Sequence, residues 1–205
     1  MSGIKYSLRQ ESTSFSIGTT NLRSSNGSLI DTNGCVALLV LSGFAVATIN
    51  FEKRILRKGD FVLLFYDSTF SMLSISAAFS VRYVSFAYHL IEEAIYKPLS
   101  INFWNTIYSN PVFRPNERDF KLLVEWWYQI EWVNNIKDYD YQEEILKNNI
   151  RNLLVATDIE IMDHVGDSLR NSRDHAWMLV NRFFRLLKSV WLLSRTVLWL
   201  LYNMI

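Results

Sequence analysis

"RKGDFVLL", Arg57 to Leu64, is the clearest joint in the chain. A basic strand end meets Gly59-Asp60, turns, and becomes the apolar run Phe61 to Phe65. The same texture extends to both sides, from Cys35 to about His89. "CVALLVLSG", "FAVATINFE", "KRILRKGD", "FVLLFYD", "STFSMLSIS" and "SVRYVSFAYH" are short runs rich in Val, Ile, Phe, Tyr and Thr, parted by Gly, Asp and Ser. A run every ten residues or so is the spacing of a sandwich or a barrel. "VRYVSFAYH" alternates: Val81, Tyr83, Ser85 and Ala87 point one way, and Arg82, Val84, Phe86 and Tyr88 the other. Either set can be the inward one.

Upstream, residues 1–33 are rich in Ser, Thr, Asn and Gly and read as a mobile lead-in closed by the turn signal "DTNG" at Asp31 to Gly34. "NGS" at Asn26 to Ser28 fits a glycosylation triplet and is read as a turn. Downstream of His89, "HLIEEAIYK" predicts a short helix, and "PLSINFWNTIYSNPVFRPN" predicts a connector that holds all three prolines. Three helices are then expected: Glu117 to Lys137, Asp140 to His164, and one from about Ser172 onward. Gly166 is the expected stop of the second. Asn116 is placed to cap the first, with Glu117 and Asp119 in its opening turn. The fold class is therefore α+β, a β-barrel or sandwich followed by a bundle of about three helices. The expected organisation is a lead-in at 1–33, a barrel at 34–98, a helical region at 99–190 and an apolar tail at 191–205.

In the first of the three helices, Leu122, Leu123, Trp126, Ile130 and Val133 form one stripe that docks on a core. Phe120, Val124, Trp127, Tyr128 and Trp132 spread over a second face among Lys121, Glu125 and Glu131. Two readings account for that second face: another helix of the chain covers it, or it is a dimer contact, since Trp and Tyr anchor interfaces. The last helix is amphipathic as far as Trp191. After it, Leu192, Leu193, Trp199 and Leu200 fall on the side that was polar. Val190 to Ile205 is only 16 residues with Arg195 in its midst, which fits a membrane span poorly.

Composition narrows the function classes. The 205 residues are half hydrophobic, 15% aromatic, and carry a net charge of +1, which lacks the basic excess of a simple DNA-binding domain. The opening residues have no apolar run behind a basic start, as a secretory signal would. One cysteine, Cys35, leaves no internal disulfide and most thiolate metal sites impossible, and its apolar run predicts an inert buried thiol. No strand carries the paired His of a metal-binding barrel. Glu160 and His164 share a helix face with Asp163 and Asp167 nearby, which a solvated helix end explains as well as a metal. There is no nucleophile elbow and no phosphate loop. The expectation is a non-enzyme without metal or cofactor. A barrel enzyme or metal-dependent barrel, and a protein anchored to a membrane by its C-terminus, are the alternatives.

The stretch "GCVALLVLSGFAVATINFEKRILRKGDFVLLFYDSTFSMLSISAAFSVRYVSFAYHLIEEAI" resembles the N-terminal regulatory domain of AraC-family transcriptional regulators, in particular bacterial members that begin with a loose cupin-like barrel. In that family an apolar strand leads into a glycine, a short strand, and a Gly-Asp turn before an apolar run; a serine-containing stretch and a Phe-rich segment follow, as "SAAFSVRYVSFAYHLIEE" does. "INFWNTIYSNPVFRPNERDFKLLVEWWYQI" and "RDHAWMLVNRFFRLLK" also look like family text. The resemblance covers about Gly34 to Lys188. It implies a cupin-like, jelly-roll-like half barrel that senses a small-molecule effector, and helices that pair two subunits in the bacterial cytoplasm. In the family a tandem helix-turn-helix domain of roughly 100 residues follows. No such text follows Lys188, so a regulator shortened by truncation or frameshift is expected, with no direct nucleic-acid contact from this chain and no membrane. A homodimer is the expected partner state, together with a mixed dimer formed with a full-length homologue. Arg82, Tyr83 and Tyr88 are the candidate ligand contacts, and Phe120, Val124, Trp127, Tyr128 and Trp132 the candidate dimer surface.

Overall fold

The computed structural model describes residues 6–168, with side chains to residue 162. The chain divides into two units, and the account below concerns the first, Met1–Met162. In chain order its elements are β1 (Phe15–Thr20), β2 (Cys35–Ser42), β3 (Phe44–Ile49), β4 (Glu52–Arg57), β5 (Phe61–Phe65), β6 (Phe70–Ile75), β7 (Ser80–Phe86), α1 (Tyr88–Ala94), α2 (Ile101–Ser109), β8 (Val112–Phe113), α3 (Glu117–Val133) and α4 (Tyr139–Ser168). The fold is α+β, an antiparallel β region ahead of helices, as the sequence implies.

The strands make two sheets, ordered β1-β7-β2-β5-β8 and β4-β3-β6. A bridge from Leu29 to Ser71 adds a fourth line beside β6. The chain thus shuttles between sheets: β1 in the first, Leu29 in the second, β2 back, β3 and β4 across, β5 back, β6 across, β7 back. That alternation is the jelly-roll path. Its corners are glycines where geometry leaves no choice. Gly43, between β2 and β3, has φ 69°, and a Cβ there would meet the Phe79 amide nitrogen at 2.6 Å. Gly34 has φ 102°, and a Cβ there would stand 2.0 Å from the Phe86 carbonyl oxygen.

The opening joint forms as its residues require. β4 ends at Arg57, the chain turns through Gly59 at φ 90°, and β5 begins at Phe61. Asp60 fixes the turn. Its buried carboxylate accepts from the Arg57 amide at 2.8 Å, and Arg114 Nε lies 3.3 Å from the same group. Arg114 follows β8, so this ion pair ties the end of the β8 segment to the turn before β5.

The first sheet is buried on both faces, which is why β2 and β5 read as unbroken apolar runs. One face carries Val36, Leu38, Val40, Val62, Leu64 and Val81 against Ala45, Ala47, Ile49, Leu56, Phe70 and Met72 of the second sheet. The other face carries Phe61, Phe65 and Phe86 against the helices. Phe61 meets Trp127 at 6.2 Å, Phe86 meets Trp126 at 6.4 Å, and Phe65 meets Phe103 at 6.1 Å. The alternation expected along β7 holds: Val81 and Tyr83 face the sandwich, and Val84 and Phe86 are buried on the opposite side. Tyr88 opens α1 and lies outside the alternation.

Several expectations are corrected. Residues 1–33 are not a mobile lead-in throughout. Six of them, Phe15–Thr20, pair with β7 in full register, from Phe15 opposite Phe86 to Thr20 opposite Val81. Leu8, Leu22 and Ile30 of the same stretch enter the sandwich core. β1 is an edge strand, so half its residues stay polar and its pattern is quiet. The expected connector holds α2 and β8. Ser100 caps α2 by accepting from the Phe103 amide at 3.0 Å, and Pro98 and Pro111 bracket that helix rather than forbid it. α3 starts at Glu117 with Asn116 accepting from the Asp119 amide at 3.0 Å, as expected. α4 runs through Gly166 to Ser168 rather than stopping at the glycine. The expected third helix and the apolar tail lie outside the described residues.

The docking face of α3 is rotated from the expected stripe. Trp126, Trp127, Ile130 and Val133 are buried, whereas Leu122 is 60% exposed. The two adjacent indoles, 5.2 Å apart at 86°, straddle the sheet, one over Phe86 of β7 and one over Phe61 of β5. Trp127, fully buried inside its own chain, is therefore withdrawn from the candidate dimer surface.

α4 ties the other helices down. Gln142 donates to the carbonyls of Val133 and Ile136 at 3.0 and 3.1 Å, closing the end of α3. Asn149 offers its carbonyl to the Trp126 indole at 3.1 Å. Lys147 pairs with Glu93 of α1 at 2.8 Å, and Arg151 donates to the Lys97 carbonyl at 2.8 Å. Asp158, buried, accepts from the Ser100 amide at 2.8 Å and from its hydroxyl, so α4 also holds the cap of α2.

Candidate functional site

The three candidate ligand contacts lie in three places. Arg82 is on the helix side of β7, with its guanidinium 5.2 Å from the Tyr128 ring and Nε 3.7 Å from Glu131 of α3. Tyr83 faces the sandwich, where its ring covers Gly18 and its hydroxyl lies 3.4 Å from Ser16 Oγ. The sandwich positions around it are filled by side chains with essentially no exposure. Tyr88 borders a cleft.

That cleft has a volume of about 330 Å³, near the low end of the ~300–1,000 Å³ range usual for small-ligand sites. Its residues come from three elements. Phe65 and Tyr66 stand at the end of β5, Trp104 is on α2, and Tyr88, Ile91, Glu92 and Ile95 come from α1 and its C-cap. The α1 residues are spaced i, i+3, i+4 and i+7, so they share one helix face. The opposite face of α1 turns Leu90 and Ala94 inward and sends Glu93 to Lys147.

The walls are aromatic. Tyr66 and Tyr88 meet edge to face at 5.1 Å and 87°. Trp104 meets Phe65 at 5.1 Å and 65°, and Phe103 behind it at 5.1 Å and 89°. Trp104 also stacks on Tyr108 at 6.4 Å, and the Tyr108 hydroxyl donates to Asp67 at 2.8 Å. Contacts of this kind hold each ring in one orientation.

Glu92 is the charged residue among those lining the cleft, and no Lys or Arg is among them. The Tyr88 hydroxyl is bonded to Glu92, and that bond, with burial and the nearby Glu92 and Asp67 charges, pushes its pKa up to about 12. Tyr88 therefore keeps its proton at neutral pH.

Of the residues that line this cleft, Tyr88 is among the candidates named from the sequence, and Glu92, Tyr66 and Trp104 are not. The spacing along "YHLIEEAI" was legible, but Trp104 was hidden in the supposed connector. Cys35 is buried as expected, and burial pushes its thiol pKa far up, so it is no nucleophile at neutral pH. Among the described residues no three His, Cys, Asp or Glu converge as metal ligands, and no helix is long and apolar enough to cross a membrane. Glu160 is exposed; its expected partners Asp163, His164 and Asp167 lie beyond the described side chains. On α3, Tyr128 and Trp132 are 51% and 61% exposed, and Phe120 and Val124 are half-buried.

No family model matches the chain, and no curated protein matches it. Solved structures similar to it include an apo variant of ToxT from Vibrio cholerae strain SCE256, with TM-score 0.49 and 16% identity over 75% of this chain and 59% of that one. Wild-type ToxT from the same strain, bound to an unsaturated fatty acid, is similar with TM-score 0.44 and 16% identity over 75% and 57%. The plu4264 protein from Photorhabdus luminescens has TM-score 0.25 and 19% identity over 38% and 68%. ToxT is an AraC-family regulator. The chain spans less than two thirds of the ToxT chains it matches.

Proposed function

We propose that this chain is the effector-sensing and dimerising part of an AraC-type transcriptional regulator, working in the cytoplasm and not as an enzyme. The family-like text from Gly34 to Lys188 supports the reading, and so does a jelly roll followed by helices. The observation that carries it is the division of labour on α3. One face buries Trp126, Trp127, Ile130 and Val133 in the chain's own core, while the other presents Leu122, Tyr128 and Trp132 to solvent. A helix needs one apolar face to fold; a second, aromatic one suits a partner. In this reading Phe120, Val124, Tyr128 and Trp132 meet a second copy.

The helices also supply a route from sensing to pairing. The cleft is walled by α1 and α2. α4 grips α1 through Lys147, α2 through Asp158, and α3 through Gln142 and Asn149. An effector that favours one placement of α1 thereby biases α3, provided it binds the two placements unequally. Subunit exchange tests the proposal. The chain, labelled with a donor fluorophore and mixed with a full-length AraC-type relative carrying an acceptor, is expected to show energy transfer. Its absence at concentrations where the relative is dimeric would contradict mixed pairing.

A further inference from the structure

We propose that the free edge of β4 takes an added β-strand from an acidic partner, one that presents carboxylates on either side of an apolar residue. Neither effector sensing nor pairing through α3 is needed for it. β4 is the outermost strand in the order β4-β3-β6. Asn50 and Phe51, with φ 50° and 67°, make the two-residue turn from β3 to β4. Such a turn closes on a hydrogen-bonded pair, here Ile49 opposite Glu52, and bonded pairs then recur at every second residue. Glu52, Arg54 and Leu56 therefore turn their backbone groups to β3, and Lys53 and Ile55 turn theirs outward. The row ends at Arg57, whose amide donates to the Asp60 carboxylate at 2.8 Å. Among the described residues no backbone group bonds the outward amides and carbonyls of Lys53 and Ile55. A row of this kind is a template for strand addition.

The side chains beside the edge select the partner. Leu56 is buried in the sandwich, so Lys53, Ile55 and Arg57 share the outer face of the sheet. Phe44, opposite Arg57, and Ile55 are exposed apolar residues. Lys53 and Arg57 are exposed and enter no ion pair among the described residues. Glu52 is the acidic residue of β4; it lies on the other side of the strand and pairs with Arg54. β3 and β6 hold no Asp or Glu. A second copy of β4 is a poor occupant. Antiparallel pairing centred on Ile55 sets Lys53 opposite Arg57, and like charges directly opposite repel. An acidic, apolar, acidic alternation complements all three side chains. Phe51 is an independent sign. Its ring is 87% exposed and its backbone is left-handed, where a glycine would sit without strain. An exposed ring there adds nothing to the core, and a strand laid along β4 runs past it.

The test titrates the full isotope-labelled chain at low salt with the capped peptide Thr-Glu-Thr-Val-Thr-Glu-Thr, and with the same peptide carrying Lys for Glu. Amide hydrogen exchange is read by NMR. The Lys53 and Ile55 amides are expected to exchange freely in the chain alone and to slow with the Glu peptide, while those of Arg54 and Leu56 are slow throughout. The Glu peptide is expected to bind about tenfold tighter than the Lys peptide. Lys53→Glu combined with Arg57→Glu is expected to reverse that order, and both positions are exposed, so the fold tolerates the change. Equal affinities, no binding of the Glu peptide up to about 5 mM, or binding without slowed exchange at Lys53 and Ile55 would each overturn the inference. So would slowing that grows with chain concentration alone, which assigns the edge to a second copy. Slowing by phosphatidylglycerol vesicles and not by the peptide assigns it to a lipid surface and equally overturns the inference.

Discussion

Asp60 shows how much a single residue settles. It is buried beside a glycine turn, holds the Arg57 amide, and meets Arg114 from the β8 segment. The two ends of the ion pair are unequal: the Asp60 side chain is 4% exposed and that of Arg114 67%. Removing the buried partner strands an amide and a turn, whereas removing the exposed one leaves the carboxylate with its backbone donor. Asp60→Ala is expected to cost about 2–4 kcal/mol in urea unfolding, and Arg114→Ala less than about 1 kcal/mol. Equal costs would show that the ion pair, not the turn, is what Asp60 provides. Gly34 is decided by space. A side chain there collides with the Phe86 carbonyl and requires a left-handed backbone, so Gly34→Ala is expected to cost about 3 kcal/mol or more, read as a lower urea midpoint. Both residues were visible in sequence, as "GD" before an apolar run and as the last residue of "DTNG". What was not visible is that the Gly34 position abuts the end of β7, 52 residues on, because only the folded sheet brings the two together.

At the scale of elements, legibility followed the strength of the pattern. β2 to β7 and the helices α3 and α4 were readable because apolar runs, caps and periodicity agree within each segment. β1 was lost because an edge strand of Ser, Gly and Thr carries little apolar signal. α2 was lost because its flanking prolines and asparagines resemble a loop, although Ser100 at its start is an ordinary cap. The rotation of α3 was missed because Trp127 and Leu122 are equally apolar on paper; only the two strands beneath choose the wider ring. The clamp between α1 and α4 has a pH signature. Lys147 lowers the Glu93 pKa through their hydrogen bond, and Glu93 raises that of Lys147. A depressed carboxylate stabilises above its ordinary value, 4.5, and loses the contribution as pH falls through its lowered value. A raised amine stabilises below its ordinary 10.5 and loses the contribution as pH climbs past its raised value. The clamp is thus fully made between those limits. Lys147→Met is expected to flatten the acid limb of stability slightly, and added salt to shrink the difference, since Glu93 is exposed. An acid limb unchanged by the substitution at low salt would contradict the pairing.

The described residues combine a closed core with an aromatic cleft and the outer face of α3. The sandwich positions around Tyr83 are filled, and among the described residues an aromatic cleft opens beside α1 and α2. None of that site could be assembled from sequence, since its rings come from residues 66, 88 and 104 and meet only when β5, α1 and α2 pack. The second surface is the outer face of α3, whose aromatic character was readable though the residue that faces inward was not. The account stands on that face pairing two chains. Sedimentation equilibrium of the purified chain tests it most directly. The prediction is a mass twice the 24.1 kDa of one chain at micromolar concentration, falling to a single chain in Trp132→Asp with the circular dichroism unchanged. A mass of 24.1 kDa for the unaltered chain up to about 100 µM would contradict it.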